Sequence, residues 1–152
     1  MVCRVTLKRS PSAALLAVQM EADDLRRRLW DMAAHDAAAF EAVIAARRRP
    51  EPERTAAIAI AMREATRVPV EMATASARVI ELCDDATDDA RESALGDLSV
   101  AAVLAWATLD AASLTARVNL NDMPDAAFVE ALGDARRRAE AARERLGWRR
   151  RA

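Results

Sequence analysis

The sequence predicts an all-α protein, an up-and-down helical bundle of about five helices in which the long helices run antiparallel. Hydrophobic residues make up 53% of the 152 positions, with only 3 glycines and 5 prolines, which disfavours disorder and loop-rich β architectures. Apolar residues recur at three- and four-residue steps through most of the chain, the period of an amphipathic helix. We expect residues 1–152 to form a single domain that ends in a basic tail, 148–152.

The periodic pattern predicts a first long helix from Ser12 to Arg47. Two prolines in the segment RRRPEPER end it and open the next helix, because proline fits the first turn of a helix but not its interior. That second helix is predicted over Glu53–Thr66. Pro69 lacks a backbone N–H, so we expect a kink or a restart there and a continuation over Val70–Leu82.

The second half of the chain predicts two more helices. The stretch Asp84–Gly96 is rich in acidic residues and lacks an apolar face, which indicates a loop with a helical turn. The run Leu98–Leu120 is apolar on nearly all sides, the pattern of a central helix surrounded by others. The segment NDMP is a helix-start signal, and the last helix is predicted to end near Gly147.

Composition and charge exclude several classes of function. There are 23 basic and 24 acidic residues, a net charge of -1, so no global field attracts nucleic acid or an anionic membrane. Charges interrupt every apolar run before the roughly 20 residues that cross a bilayer. Two cysteines and no secretory leader argue against a disulfide framework. We expect a cytoplasmic protein without nucleic-acid or membrane partners.

Familiar catalytic and cofactor motifs are missing from the sequence. The single His35 and two distant cysteines do not make a zinc site, and there is no phosphate-binding glycine loop. A nucleophile-histidine pair would need His35, whose neighbour Asp36 projects from another side of a helix. We expect no metal.

Three polar side chains interrupt alanine-rich apolar runs and are the candidate functional residues. They are Asp36 in HDAAAFEAV, Asp97 in GDLSVAAVLAWA and Asn119 in TARVNL. An acid among small apolar side chains is costly to desolvate, so it is either held by partners or kept for chemistry.

Four motifs in order, DAAAFEAVIAARR, AAIAIAMREATRVPVEMA, GDLSVAA and ARVNLNDMPDAAFVEAL, are similar to the cyclodeaminase/cyclohydrolase family. That family contains the C-terminal domain of formiminotransferase-cyclodeaminase and the stand-alone methenyltetrahydrofolate cyclohydrolases. The resemblance covers the chain from Met1 to about Leu146. It implies a helical homodimer that acts on a tetrahydrofolate derivative and holds no tightly bound cofactor. The implied reactions are hydrolysis of 5,10-methenyltetrahydrofolate and ring closure of 5-formiminotetrahydrofolate with loss of ammonia.

The resemblance also implies roles for individual residues. Asp36 matches the aspartate of the family's D-A-x-A-F motif and is expected to be the general acid/base. Asp97 matches the aspartate of S-D-x-x-V-A-A, with Gly96 in place of the serine, and is a second catalytic candidate. Asn119 matches the asparagine of I-N-L and is a substrate-binding candidate. The start, MVCRVTLKR, resembles M-V-A-x-L-T-x-G-K, which makes Arg9 a further substrate-binding candidate.

Each of the three interrupting residues also has a structural alternative. Asp36 fits a helix carboxylate paired with an arginine. Asp97 fits a helix N-cap, worth about 1 kcal/mol of stability. Asn119 fits a side chain that bonds a neighbouring helix.

The chain departs from the family pattern at several positions. A Pro-Gly-Gly-Gly-Ser segment is absent, Ala34 stands where the family often has an acid, and Thr115 replaces an asparagine. Two hypotheses follow. The first is a cyclohydrolase rather than a cyclodeaminase, because no formiminotransferase domain is attached. The alternative is a diverged non-folate or non-catalytic helical dimer that binds a small molecule or a protein.

Overall fold

The computed structural model describes residues 1–7 and 12–149, with only the backbone described at 148 and 149. Within these ranges the chain forms five α-helices: α1 Val2–Leu7, α2 Ala13–Arg47, α3 Glu53–Asp85, α4 Leu95–Asp122 and α5 Ala126–Arg149. A 3-10 turn, Glu92–Ala94, precedes α4. No strand occurs in the described ranges, and the predicted all-α bundle is confirmed. The sequence did not predict the short α1, and most of the predicted basic tail lies outside the described residues.

The first long helix begins and ends where the sequence predicts. Ser12 is its N-cap, and the Ser12 Oγ accepts a hydrogen bond from the backbone N–H of Leu15 at 3.2 Å. This bond satisfies one of the N–H groups that have no partner within the helix. The Ser12 hydroxyl also donates to Asp89 at 2.6 Å, which ties the loop after α3 to the start of α2.

The second and third predicted helices are one continuous helix, so the predicted restart after Pro69 was wrong. The helix α3 runs from Glu53 to Asp85 with Pro69 inside it. Proline has no N–H for the carbonyl four residues earlier, which belongs to Ala65. Asn119 of α4 supplies the missing donor, because its Nδ2 donates to the Ala65 oxygen at 2.9 Å. A bond from another helix thus replaces the one that proline removes.

The central helix is α3, whereas the sequence predicted that the helix after the acidic loop would be central. The helix α3 packs against α2, α4 and α5, while α4 and α5 make few contacts with each other. Its buried positions carry many small side chains, which let three neighbouring helices approach closely. The alanine and serine members of that buried set are Ala61, Ala73, Ala75, Ser76 and Ala77.

The helix α4 is apolar on two faces, but the chain covers only one of them. The face toward α3 carries the buried residues Leu98, Ala102, Ala105, Leu109, Ala112, Ala116 and Leu120. The opposite face is exposed and carries Val100, Val103, Leu104, Leu114 and Val118. The segment Glu92–Asp122 is also long and apolar enough to cross a membrane by length and composition. A bundle helix whose second face a partner covers has the same length and composition.

Ion pairs join α3 to two of its neighbours, α2 and α5. Arg78 of α3 donates two hydrogen bonds to Glu21 of α2, at 2.6 and 2.9 Å. Glu81, one turn further along α3, accepts two from Arg138 of α5, at 2.7 and 2.8 Å. Arg78 also donates to Glu81 at 3.0 Å, so α2, α3 and α5 share one chain of paired charges. Bidentate pairs of this kind are the stronger class of ion pair.

Candidate functional site

The three polar residues singled out in the sequence lie on two helices. Asp36 lies in the C-terminal half of α2, Asp97 in the first turn of α4, and Asn119 near the C-terminal end of α4. Arg9, the fourth candidate, falls between residues 7 and 12, outside the described ranges, so its predicted role stays a prediction.

Asp36 lies at the edge of the face by which α2 packs on α3. Met32 is one turn before it and Ala39 nearly one turn after it, and both are buried in a cluster with Val68 of α3. Asp36 itself is exposed in the single chain. Among the described residues, no hydrogen bond or ion pair engages its carboxylate, so no described arginine pairs with it.

His35 and Asp36 project from different flanks of α2, as the helical spacing predicts. The pKa of Glu64 in α3 is lowered mainly by its hydrogen bonds to Arg67 and to a smaller extent by His35, which indicates that His35 lies on the flank nearest Glu64. Asp36 continues the other flank, on which Ala33 lies one turn earlier. His35 is therefore poorly placed to act with Asp36 as a catalytic pair.

A surface depression of about 650 Å³ lies beside this flank of α2. Its volume falls within the range of small-molecule sites. Trp30 forms part of its wall and is 83% exposed, which is unusual for so large an apolar side chain. Asp36 does not line this depression, but it lies on the same helix two residues after Ala34, which does. The lining residues are Ala22, Arg26, Leu29, Trp30, Ala33, Ala34 and Val79.

Asp97 lines a second, smaller depression beside the first. This one has a volume of about 190 Å³ and is formed by residues of α1, α2, α3 and α4, among them Cys3 and Cys83. Ala22 and Val79 line both depressions, so the two are adjacent. We call the two adjacent depressions, which extend from Asp97 past Val79 to Trp30 and Ala33, the α2–α4 groove.

Asp97 is not the N-cap of α4, and that alternative from the sequence was wrong. The N-cap position is Ala94, which forms no side-chain capping bond, and the helix begins at Leu95. Asp97 is therefore the third helical residue, where a carboxylate interacts favourably with the positive end of the helix dipole. The acidic loop before it carries no sharp boundary signal, so the sequence placed the start a few residues late.

Asn119 lies on the flank of α4 that faces α2 and α3. Met123, one turn later, packs in a cluster with Val43 of α2 and Met62 of α3. The Asn119 Nδ2 is used by the bond to Ala65. Its Oδ1 makes no hydrogen bond with the described residues, so it is an acceptor available to a ligand. The bond to a neighbouring helix, which the sequence offered as an alternative, is present and leaves half of the amide free.

Within one chain, Asp36 and Asn119 lie beside the same part of α3, whereas Asp97 lies at the opposite end of α4 from Asn119. Asp36 is flanked by residues that pack on Val68, and Asn119 bonds Ala65, three residues earlier on the same helix. Asp97 and Asn119 are 22 positions apart on one straight element, and at about 1.5 Å per residue this is roughly 33 Å. A site that contains all three needs Asp97 from a second copy.

The sequence did not point to Trp30 or Arg26, which also lie in the α2–α4 groove. The feature that could have indicated them is their position on α2 relative to its row of buried residues, which includes Leu25 and Met32. Trp30 lies between the stripe residues Leu25 and Met32 but points away from the core, and an exposed tryptophan at such a position is a feature that needs an explanation.

A second cleft, on the α2–α3–α5 side, has a volume of about 570 Å³ and a charged rim. Arg67 donates hydrogen bonds to Glu64 and Glu71, and Arg78 donates to Glu21. These two cations are already paired with carboxylates. Arg28 lines the same cleft and has no ion pair among the described residues. Within the described part of the chain, no group of three or more His, Cys, Asp and Glu side chains is placed to hold a metal ion.

Comparison with known proteins agrees with this helical fold. The sequence model of the formiminotransferase-cyclodeaminase family matches residues 1–138. A methenyltetrahydrofolate cyclohydrolase from Methylorubrum extorquens is 32% identical over an alignment of 140 residues that covers 86% of this chain and 67% of the relative. The crystal structure of formiminotetrahydrofolate cyclodeaminase from Thermotoga maritima superposes with a TM-score of 0.84 at 22% identity, over 96% of this chain and 76% of that one. This structural likeness concerns the fold alone.

The family model and the 32% identical relative show that the chain is an all-helical enzyme of the cyclohydrolase and cyclodeaminase kind. The chain belongs to the formiminotransferase-cyclodeaminase family. The resemblance that the four motifs carry is thereby confirmed.

Proposed function

We propose that this protein is a folate one-carbon enzyme that hydrolyses 5,10-methenyltetrahydrofolate to 10-formyltetrahydrofolate, with Asp36 as the general acid/base. The observation that carries the proposal is the free carboxylate of Asp36 beside a groove of suitable volume. The relative that is 32% identical is a cyclohydrolase, which favours hydrolysis over cyclodeamination of 5-formiminotetrahydrofolate. The proposal includes a cytoplasmic location, a tetrahydrofolate derivative as substrate and no tightly bound cofactor.

The proposed reaction needs a base and then an acid at one carbon. The methenyl carbon lies between N5 and N10 in a cationic amidinium group, and a nearby carboxylate stabilises that charge. Water adds to the carbon while Asp36 accepts a proton from it. The bond from the carbon to N5 then breaks, Asp36 returns the proton to N5, and the added hydroxyl loses its proton as the formyl C=O forms. The products are 10-formyltetrahydrofolate and one proton.

We also propose that the enzyme is a homodimer formed through the exposed face of α4. That face carries Val100, Val103, Leu104, Leu114 and Val118, an apolar stripe at whose edge Asp110 pairs with Arg136 of α5. Two copies related by a two-fold axis would pack these stripes antiparallel with the axis near Thr108. Asp97 of the partner subunit would then lie close to Asn119 of the first chain, which removes the separation of roughly 33 Å along a single helix.

The first test is the loss of the near-ultraviolet absorbance of 5,10-methenyltetrahydrofolate with purified protein. Wild type should exceed the spontaneous rate, and Asp36→Ala and Asp36→Asn should each lose about 100-fold or more, the usual contribution of a positioned acid/base. Asp31→Ala is the matched control, because Asp31 is an exposed aspartate on the same helix. Wild-type protein no faster than the spontaneous reaction would overturn the proposal and leave the non-catalytic or non-folate alternative.

The second test addresses the shared site. Asp36→Ala and Asp97→Ala homodimers should both be impaired, whereas a 1:1 mixture should recover about a quarter of wild-type activity, because half of the dimers would then hold one intact site. No recovery in the mixture, with mixed dimers demonstrated by two affinity tags, would place Asp97 outside the site.

A further inference from the structure

The α2–α4 groove carries an uneven distribution of charge along α2. Arg26 lines one part of it, Trp30 forms the wall next to Arg26, and Asp36 lies beyond the other end. The ten residues from Arg26 to Asp36 span roughly 15 Å of helix. A ligand that lay along this wall would meet a cation, an aromatic ring and a carboxylate in that order.

Arg26 and Trp30 are both available to a ligand. The guanidinium of Arg26 approaches Asp23 only at 3.8 Å, beyond hydrogen-bond distance, and its side chain is 71% exposed. Among the described residues, no arginine contacts the Trp30 ring, unlike Trp106, which Arg136 and Arg143 cover at 4.3 and 4.7 Å. The alanines of the groove leave space over the indole. Trp30 thus offers an uncovered aromatic face beside an arginine that retains most of its donors.

We propose that Trp30 and Arg26 form the subsite for the p-aminobenzoyl-glutamate part of the folate substrate. This inference rests on the proposed function, because it takes its ligand from that reaction. In the substrate the cationic carbon lies between the pterin ring and a flat benzoyl ring, and the glutamate carboxylates follow the benzoyl ring at the far end. With the cationic carbon at Asp36, the ring lies against Trp30 and a glutamate carboxylate reaches Arg26, so that each group meets a partner of suitable charge or shape.

Trp30 and Arg26 are positioning residues in this arrangement, since neither reaches the reacting carbon. Their contacts are made equally in the ground state and in the transition state. Such uniform binding changes KM and leaves kcat nearly unchanged. Substitution of Asp36, by contrast, should lower kcat, because its proposed role is proton transfer at the reacting carbon.

The test is a fluorescence titration with 5-formyltetrahydrofolate and with 5-formyltetrahydropteroate, which lacks the glutamate. Wild type should show quenching of tryptophan fluorescence by both probes. Trp30→Ala should remove most of the quenching and weaken both probes about five- to tenfold. Trp30→Phe should restore most of the affinity. Arg26→Ala should weaken the glutamate-containing probe about tenfold and leave the other unchanged.

Trp106→Phe is the matched control, because Trp106 lies on the α4–α5 side and is covered by arginines. It should retain both the affinity and the quenching. The mass of each variant in solution, measured by light scattering, shows whether Trp30 instead belongs to a subunit contact. Unchanged affinities in Trp30→Ala, or equal losses of both probes that accompany dissociation of a dimer, would overturn the inference.

The two proposals can fail separately. The protein could bind both probes, with the expected losses of affinity in Trp30→Ala and Arg26→Ala, and yet not turn over 5,10-methenyltetrahydrofolate. That result would support the subsite and overturn the proposed reaction. Turnover with an unchanged KM in Trp30→Ala and Arg26→Ala would keep the reaction and remove the subsite.

Discussion

The side-chain amide of Asn119 donates to the backbone carbonyl of Ala65 at 2.9 Å, and Ala65 is the residue four positions before Pro69. A helix normally satisfies that carbonyl with the N–H of the residue four positions later, which proline lacks. The bond therefore explains how α3 continues through Pro69 and why a polar side chain stands in the apolar sequence of α4. An unsatisfied carbonyl at a helix-helix contact would otherwise cost stability.

Asn119 and Pro69 should be energetically coupled. Asn119→Ala in the wild-type background should lower the free energy of unfolding by about 1–2 kcal/mol, because the Ala65 carbonyl loses its donor. In a Pro69→Ala background the backbone N–H at position 69 satisfies that carbonyl, so the same substitution should cost about 1 kcal/mol less. Urea unfolding of the four proteins gives the cycle. Equal costs of Asn119→Ala in both backgrounds would show that the bond does not compensate for the proline.

The exposed face of α4 should control the mass of the protein in solution. Leu114 is 66% exposed in one chain, so Leu114→Glu should leave the helix content unchanged. In a dimer it would remove about 2 kcal/mol of apolar burial per subunit and place charge in the contact. Light scattering over a range of concentrations should show the variant as a monomer. Val129→Glu, at a similarly exposed position on α5, is the control and should not change the mass. The same mass for wild type and Leu114→Glu at every concentration would contradict this assignment.

The sequence predicts those parts of the fold that depend on local periodicity. The bounds of α2 agree with the prediction because Ser12 and the prolines after Arg47 are strong end signals. Local periodicity does not predict which helix lies at the centre of the bundle. An apolar pattern on all sides of a helix is the same whether its own chain or another surface covers it, so the pattern predicts α4 as the central helix.

The central position of α3 was also not predictable, because its charged residues suggest a solvent-facing helix. Arg78 and Glu81 look like solvent-facing residues in the sequence, yet they are paired with Glu21 and Arg138 from the two neighbouring helices. In the candidate site, the sequence singles out Asp36 because an acid stands out among alanines, and its catalytic role stays a prediction. The sequence does not single out Trp30, because only the packing of α2 on α3 shows that this side chain lies on the uncovered side.

The pairing of Glu81 should make stability depend on pH. Its pKa lies below the ordinary value of 4.5, mainly because Arg138 donates hydrogen bonds to it, with a further contribution from Arg78. A carboxyl whose pKa is lowered by folding adds stability above its unfolded pKa, and this stability is lost as pH falls through the folded pKa. Glu81→Gln should therefore destabilise the protein by about 2 kcal/mol at pH 7.

The difference between wild type and Glu81→Gln should shrink as pH falls below the ordinary glutamate pKa of 4.5. Thermal unfolding from pH 7 to pH 3 measures it. Glu144→Gln is the control, because Glu144 is exposed on α5 and its substitution should change the stability at pH 7 only slightly. A constant difference for Glu81→Gln over the whole range would mean that its charge contributes nothing to stability.

The two cysteines should differ in reactivity although both line the Asp97 end of the α2–α4 groove. Burial raises the pKa of the Cys83 thiol to about 11, so almost none of it is thiolate near neutral pH. The pKa of Cys3 is also raised by burial, but Cys3 is only partly buried on the short α1. Iodoacetamide at pH 7.5 should label Cys3 first, and Cys3→Ser protein should stay nearly unlabelled until denaturant is added. Peptide mass mapping follows both sites over time. Equal labelling rates in the native protein would show that α1 does not stay packed beside Cys83.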